Sequence, residues 1–117
     1  MEKEIGLEIA ELSDCEKMVL SCIYQYLNKA QEAPDLNTLM DMLSRNYKKV
    51  WKKQTVCTFL KRVERKGLIS IERVGKYSYY YPILSYEQYL SHEFREICNL
   101  YFSGDIKQMK RFVRAMK

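Results

Sequence analysis

The chain has one histidine, His92, and its four cysteines, Cys15, Cys22, Cys57 and Cys98, form no Cys-x-x-Cys pair. Structural zinc needs ligands in close pairs, so no metal site is expected. Acid–base or nucleophilic chemistry needs paired groups, and no Gly-rich phosphate loop is present either, so an enzyme is not expected. His92 reads instead as an exposed helix residue. No uncharged apolar run approaches the roughly 20 residues that cross a bilayer. The first residues, Met1 to Gly6, lack the basic and apolar segments of a signal peptide. Internal repeats and low-complexity tracts are also missing. A soluble, cytoplasmic protein without cofactor or membrane insertion is the expectation. Cys15 and Cys22, at i and i+7, belong to an apolar helix face and read as small core residues, so neither disulfide nor metal is needed for folding. Cys57 falls nearer a polar face.

What is present is a well-stocked core and an uneven charge. Apolar residues make up 47% of the 117 and aromatics 13%, which argues against disorder and suits one domain with an appendage. The net charge is +5. Between Arg45 and Lys76 stand Arg45, Lys48, Lys49, Lys52, Lys53, Lys61, Arg62, Arg65, Lys66, Arg73 and Lys76, opposed only by Glu64 and Glu72. The first sixteen residues run the other way, with Glu2, Glu4, Glu8, Glu11, Asp14 and Glu16 against Lys3. A cationic middle between acidic flanks suits a polyanion or an acidic partner protein.

Within that middle, Val56, Phe59, Leu60 and Val63 recur at i, i+3, i+4 and i+7, the apolar face of a helix over about 53–66. Gly67 supplies its stop, because the left-handed residue past a helix is most readily glycine. The rest of the helix surface mixes Lys53, Lys61, Arg62 and Arg65 with Gln54, Thr55 and Thr58. Cations match phosphates, while Gln and Thr can read base edges, so Gln54 and Thr58 are expected to discriminate bases and Lys52, Lys53 and Arg62 to neutralise phosphates.

Two further helices precede it. Ser13-Asp-Cys-Glu16 is a capping box, with Leu12 placed as a hydrophobic staple, opening a helix at 14–29 with a stripe from Cys15 to Leu27. Residues 29–34 read as a loop. A helix near 35–46 is expected to bury Leu36, Leu39, Met40 and Leu43, and Trp51 ends a short basic connection as a packed anchor. After Gly67 the period changes to two. Leu68–Val74 and Tyr77–Ile83 flank Gly75-Lys76, a two-residue loop of the type II′ kind. Arg73 and Lys76 put cations at its tip. Three helices and a basic-tipped hairpin are a winged helix-turn-helix, an α+β, mostly helical class in which the third helix enters the major groove. Ser85-Tyr-Glu-Gln88 opens another helix, and Gly104-Asp105 separates it from a last stripe. The apolar residues Tyr86, Tyr89, Leu90, Phe94, Ile97, Tyr101, Ile106, Met109, Phe112 and Val113 have little chain left to pack on, so C-terminal dimerisation helices are expected. The division is 1–84, a winged-helix DNA-binding domain, and 85–117, a helical dimerisation region.

Leu12-Ser-Asp-Cys-Glu, the segment Trp51–Leu68 with its Thr-Val-x-Thr-x-Leu-x-Arg core, and Tyr79-Tyr-Tyr-Pro82 resemble the penicillinase-repressor (BlaI/MecI-like) family. Tyr101-Phe-Ser-Gly-Asp-Ile-Lys107 is similar to its dimerisation region. The resemblance spans about residues 10–114. It implies a homodimeric repressor on double-stranded DNA, with dyad operators of TACA/TGTA-like halves. It also implies groove contacts from Gln54, Thr55, Cys57 and Thr58 and a backbone contact from Arg62. An upstream sensor-protease is an implied partner, yet the Asn-Phe bond cleaved in some members is replaced here by Lys110-Arg-Phe-Val-Arg114, so resistance to cleavage is expected. Copper-responsive relatives end in paired cysteines, which this chain lacks. Many members continue past the position of Lys117, which implies a smaller dimer contact here. The alternative function is a winged-helix interaction module for an acidic protein. Gln54 and Thr58 separate the two, since a purely electrostatic face needs only Lys and Arg.

Overall fold

A computed structural model describes residues 9–117. They fall into two compact units, residues 9–84 and Ser85–Lys117. The acidic N-terminal residues up to Glu8, and any role for them as a flank, lie outside the described residues.

In the first unit the Ser13 capping box forms in both directions. Ser13 Oγ accepts from the Glu16 amide at 3.2 Å, and Glu16 Oε1 accepts from the Ser13 amide at 3.0 Å. This starts α1 (Asp14–Ala30), which buries Val19, Leu20, Cys22, Ile23 and Tyr24. Leu12 is buried, but the fourth helical position is Lys17, so it joins the core rather than closing a staple. Asp35 caps α2 (Leu36–Tyr47) by accepting from the Thr38 amide. Leu39 and Leu43 are fully buried there, while Leu36 and Met40 are only half-buried, short of the burial expected of them.

The third helix, α3 (Lys53–Arg65), turns Val56, Leu60 and Val63 into the core. It closes in a Schellman motif: Gly67 N–H bonds Glu64 O at 2.9 Å and Leu68 N–H bonds Val63 O at 3.2 Å. Gly67 takes φ +81°, which a side chain would oppose. The chain then enters β1 (Ile69–Val74), paired antiparallel with β2 (Tyr77–Pro82), from Ile69 opposite Pro82 to Val74 opposite Tyr77. Of the two loop residues only Gly75 has positive φ, +63°, the pattern of a II′ turn.

A contact no local pattern could show ties this hairpin down. Asp35 bridges to Tyr79, and Tyr80 N–H donates to Pro34 O at 3.1 Å, so the entry to α2 adds a short third rung. Tyr24 OH donates to Leu84 O at 2.9 Å. The base of the hairpin, Ile69 and Tyr80, is therefore in the core, while its tip from Glu72 to Tyr77 is in solvent.

The second unit is two helices. A complete capping box on Ser85 and Gln88 starts α4 (Tyr86–Phe102). Ser103 and Gly104, at φ +52° and +80°, reverse the chain, and Asp105 caps α5 (Ile106–Ala115) by accepting from the Lys107 and Gln108 amides. The Phe102 and Phe112 rings meet across the pair at 5.8 Å. His92 is half-buried on α4 rather than exposed.

Candidate nucleic-acid interface

The core side of α3 leaves the opposite face outward. Lys53, Gln54, Cys57, Thr58, Lys61 and Arg65 line one open hollow of about 510 Å³ on it. At 100° per residue Gln54, Thr58, Lys61 and Arg65 fall within about 60° of one another and away from Val56, Leu60 and Val63, while Cys57 and Lys53 lie toward the core edge of that side. Lys61 and Arg65, outside the expected contact set, line the same hollow, and their i+7 and i+11 spacing from Gln54 puts them beside it on the helix. Both continue the face one and two turns beyond the Gln54–Thr58 patch. Thr55 sits on the flank and is half-buried, as is Cys57.

The chemistry of this face is mixed. Thr58 Oγ1 donates to Gln54 O at 2.9 Å, which occupies its hydroxyl proton within the helix and leaves the methyl as an outward contact. Gln54 is exposed, with both amide atoms available for a base edge.

The start of α3 lacks the side-chain N-cap bond that Ser13 gives α1 and Asp35 gives α2. The first turn of α1 carries Asp14 and Glu16, whereas α3 has no acidic residue in its first turn and has Lys52 at the N-cap with no side-chain cap bond. Cations at the positive end of a helix dipole are unfavourable within the protein and suit an outside anion such as phosphate. Lys52 and Lys53 are both exposed there. Arg62 is exposed one turn from the C-terminal end, its Cζ 6.0 Å from the Phe59 ring centroid, and Phe59 in turn meets Trp51 at 5.1 Å. At the hairpin tip Arg73 and Lys76 are exposed, Lys76 Nζ lying 5.7 Å from the Tyr77 ring.

Three cations of the run have ion-pair partners among the described residues: Arg45 pairs with Asp41 at 2.7 Å and Lys61 approaches Glu64 at 4.0 Å, both in solvent, while the pair of Lys66 is largely buried. Lys66 Nζ is 2.7 Å from Glu16 Oε1 and also donates to Glu11 O at 2.7 Å, fastening the end of α3 to the start of α1. Glu16 is buried to 2% exposure. Burial pushes its carboxyl pKa up, but the Lys66 ammonium and the Ser13 amide outweigh this and hold it below the ordinary value.

Residues 12–116 match the penicillinase repressor family. The chain belongs to that family. Penicillinase repressors are DNA-binding transcription regulators and not enzymes. No curated protein matches the chain. Solved structures that share the fold include two of the repressor BlaI. The solution structure of the DNA-binding domain of the repressor BlaI has TM-score 0.56 and 24% identity, covering 70% of this chain and 92% of its own. That of the Bacillus licheniformis BlaI monomeric form in complex with the blaP half-operator has TM-score 0.54, again with 24% identity and the same coverage. The three helices and hairpin described above are thus the winged-helix arrangement of a penicillinase repressor.

The second unit presents a different surface. Tyr86, Phe94, Ile97, Tyr101, Ile106, Phe112 and Val113 are exposed, and Leu90 is half-buried. Tyr89 and Met109 are already buried within the single chain, so they serve its own packing first. Phe94, Ile106, Met109, Lys110, Val113 and Arg114 line an apolar groove of about 370 Å³. No group of three potential metal ligands occurs among the described residues, and none of their helices is long and apolar enough to cross a membrane.

Proposed function

We propose that the protein is a cytoplasmic repressor that binds a dyad operator sequence-specifically as a homodimer. The observation that carries this reading is the outward face of α3, where Gln54 and Thr58 stand among Lys53, Lys61 and Arg65 around one hollow. Gln54 bonds adenine at N6 and N7, and the Thr58 methyl meets a thymine methyl. Cys57 and Thr55 flank that contact. Lys52, Lys53 and Arg62 neutralise phosphates beside the groove, and Arg73 and Lys76 do so at the wing. The BlaI structure solved with a half-operator supports one half-site per chain. The second copy docks through α4 and α5, whose exposed Phe94, Ile97, Tyr101, Ile106, Phe112 and Val113 form the apolar face. With no Asn-Phe bond near Gly104, the 105–114 segment resists an upstream sensor-protease, and mass spectrometry after co-expression with one checks this.

The test of the site uses three substitutions. Gln54→Ala should cost about 1–3 kcal/mol on the cognate operator and little on mixed-sequence DNA. Lys76→Ala should weaken both alike and flatten the salt dependence by about one unit of slope. Lys52→Asp should raise thermal stability by roughly 0.5–1 kcal/mol through a better cap, while weakening DNA binding. A uniform effect of Gln54→Ala with a sequence-selective one of Lys76→Ala would invert the docking.

A further inference from the structure

The outward cations of α3 differ in how they are held. Lys52 and Lys53 stand free at its start, but Arg62 lies over an aromatic ring. Phe59 precedes Arg62 by three residues, the spacing that stacks neighbours on a helix surface. The Arg62 Cζ is 6.0 Å from the Phe59 centroid, near the outer limit at which a ring face attracts a cation. Phe59 is itself braced. Trp51, from the connection before α3, meets it with centroids 5.1 Å apart at 59°. Both rings are half-buried, so they are supported from beneath and open to solvent at the top. Among the described residues no ion pair within 4.0 Å holds the guanidinium, although its charge helps keep the Glu16 pKa low, and Glu16 is already paired with Lys66.

We propose that Phe59, braced by Trp51, is a positioning residue that pre-orders Arg62 for a DNA phosphate. A guanidinium attracted through its face keeps its N–H donors, which lie in its plane, free for a bidentate phosphate contact. Arginine loses much rotamer freedom when such a contact forms, and a side chain already resting on a ring loses less. Trp51 therefore does more than anchor the connection, and the aromatic at 59 acts on affinity without touching DNA. This rests on the reading of α3 as the DNA-contacting helix.

The test is a double-mutant cycle on a mixed-sequence DNA duplex at fixed salt, since a phosphate contact needs no particular operator. Phe59→Leu should weaken binding about two- to five-fold, the size of an exposed cation–π contact, and should cost nothing further once Arg62→Ala is present. Phe59→Tyr, which keeps the ring, should bind like the parent. An equal loss from Phe59→Leu in both backgrounds, or none in the parent, overturns the proposal. The side-chain protons of Arg62 in the unmutated chain give a readout that needs no variant. Upfield ring-current shifts for Arg62, absent from Arg65, are expected, and unshifted Arg62 protons overturn the positioning even if Phe59→Leu fails to fold. Arg62→Ala that leaves DNA binding unchanged would remove the phosphate contact itself, a failure separate from that of the ring.

Discussion

Residues 9–84 and residues 85–117 solve the problem of apolar surface in opposite ways. The first unit closes its core: Leu12, Val19, Leu20, Cys22, Ile23, Leu39, Leu43, Val56, Leu60, Val63, Leu68 and Ile69 are all buried. The second buries Tyr89, Cys98 and Met109 and leaves Phe94, Ile97, Leu100, Tyr101, Ile106, Phe112, Val113 and Met116 exposed. Single exposed apolar residues are ordinary, and the proposed function reads this set, most of it on α4 and α5, as the surface that meets a second copy. A closed core can stand alone and present a polar working face. An open one is completed by something else, and in the proposed function that is a second copy of the same two helices.

The comparison is broken most forcefully by separating the two units. A chain ending at Leu84 should fold, sediment as a monomer, and bind a dyad operator some 100- to 10,000-fold more weakly, because the second half-site contact is no longer intramolecular. A full-length chain that sediments as a monomer at micromolar concentration would contradict the role given to α4 and α5.

A pair of substitutions sharpens the same contrast. Leu43→Ala, in the closed core, should cost about 2–5 kcal/mol of unfolding free energy. Val113→Ser, on the open face, should leave the melting of the first unit within roughly 0.5 kcal/mol and dissociate the dimer instead. Denaturant titration and sedimentation separate the two outcomes.

A smaller effect comes from inside the first unit. Lys66→Met leaves Glu16 buried without its cation, at a cost of roughly 2–3 kcal/mol. This is below the figure for a fully buried pair, since Lys66 keeps 30% of its side chain exposed. The sign of the pH dependence follows from the lowered Glu16 pKa. The pair's contribution is fully present above the unfolded value of 4.5 and is lost as pH falls through the lower folded value. The parent's advantage over Lys66→Met should therefore be largest at neutral pH and vanish in acid.

Much of this fold was legible because its signals are local. The capping boxes at Ser13 and Ser85, the Schellman glycine at 67 and the Gly75-Lys76 loop each depend on residues within a few positions, and all form as read. What stayed hidden depends on distance along the chain. Nothing near Asp35 announces its bridge to Tyr79, and nothing near Lys66 distinguishes it from the solvent-facing cations around it. Its partner Glu16 lies fifty residues away. The half-burial of Leu36 and Met40, and the internal burial of Tyr89 and Met109, likewise depend on which neighbours arrive from elsewhere. Lys61 and Arg65 are a different case, because their spacing of seven and eleven residues from Gln54 is local and places them on the same side of α3.

The central claim is that the closed unit reads DNA and the open unit pairs two such readers. Selection of bound fragments from random DNA by the full chain, at fixed salt, tests both halves together. The account predicts enrichment of two inverted copies of one half-site at a single spacing, about one helical turn or a multiple of it. Unpaired half-sites, or no enrichment over the starting pool, would contradict it.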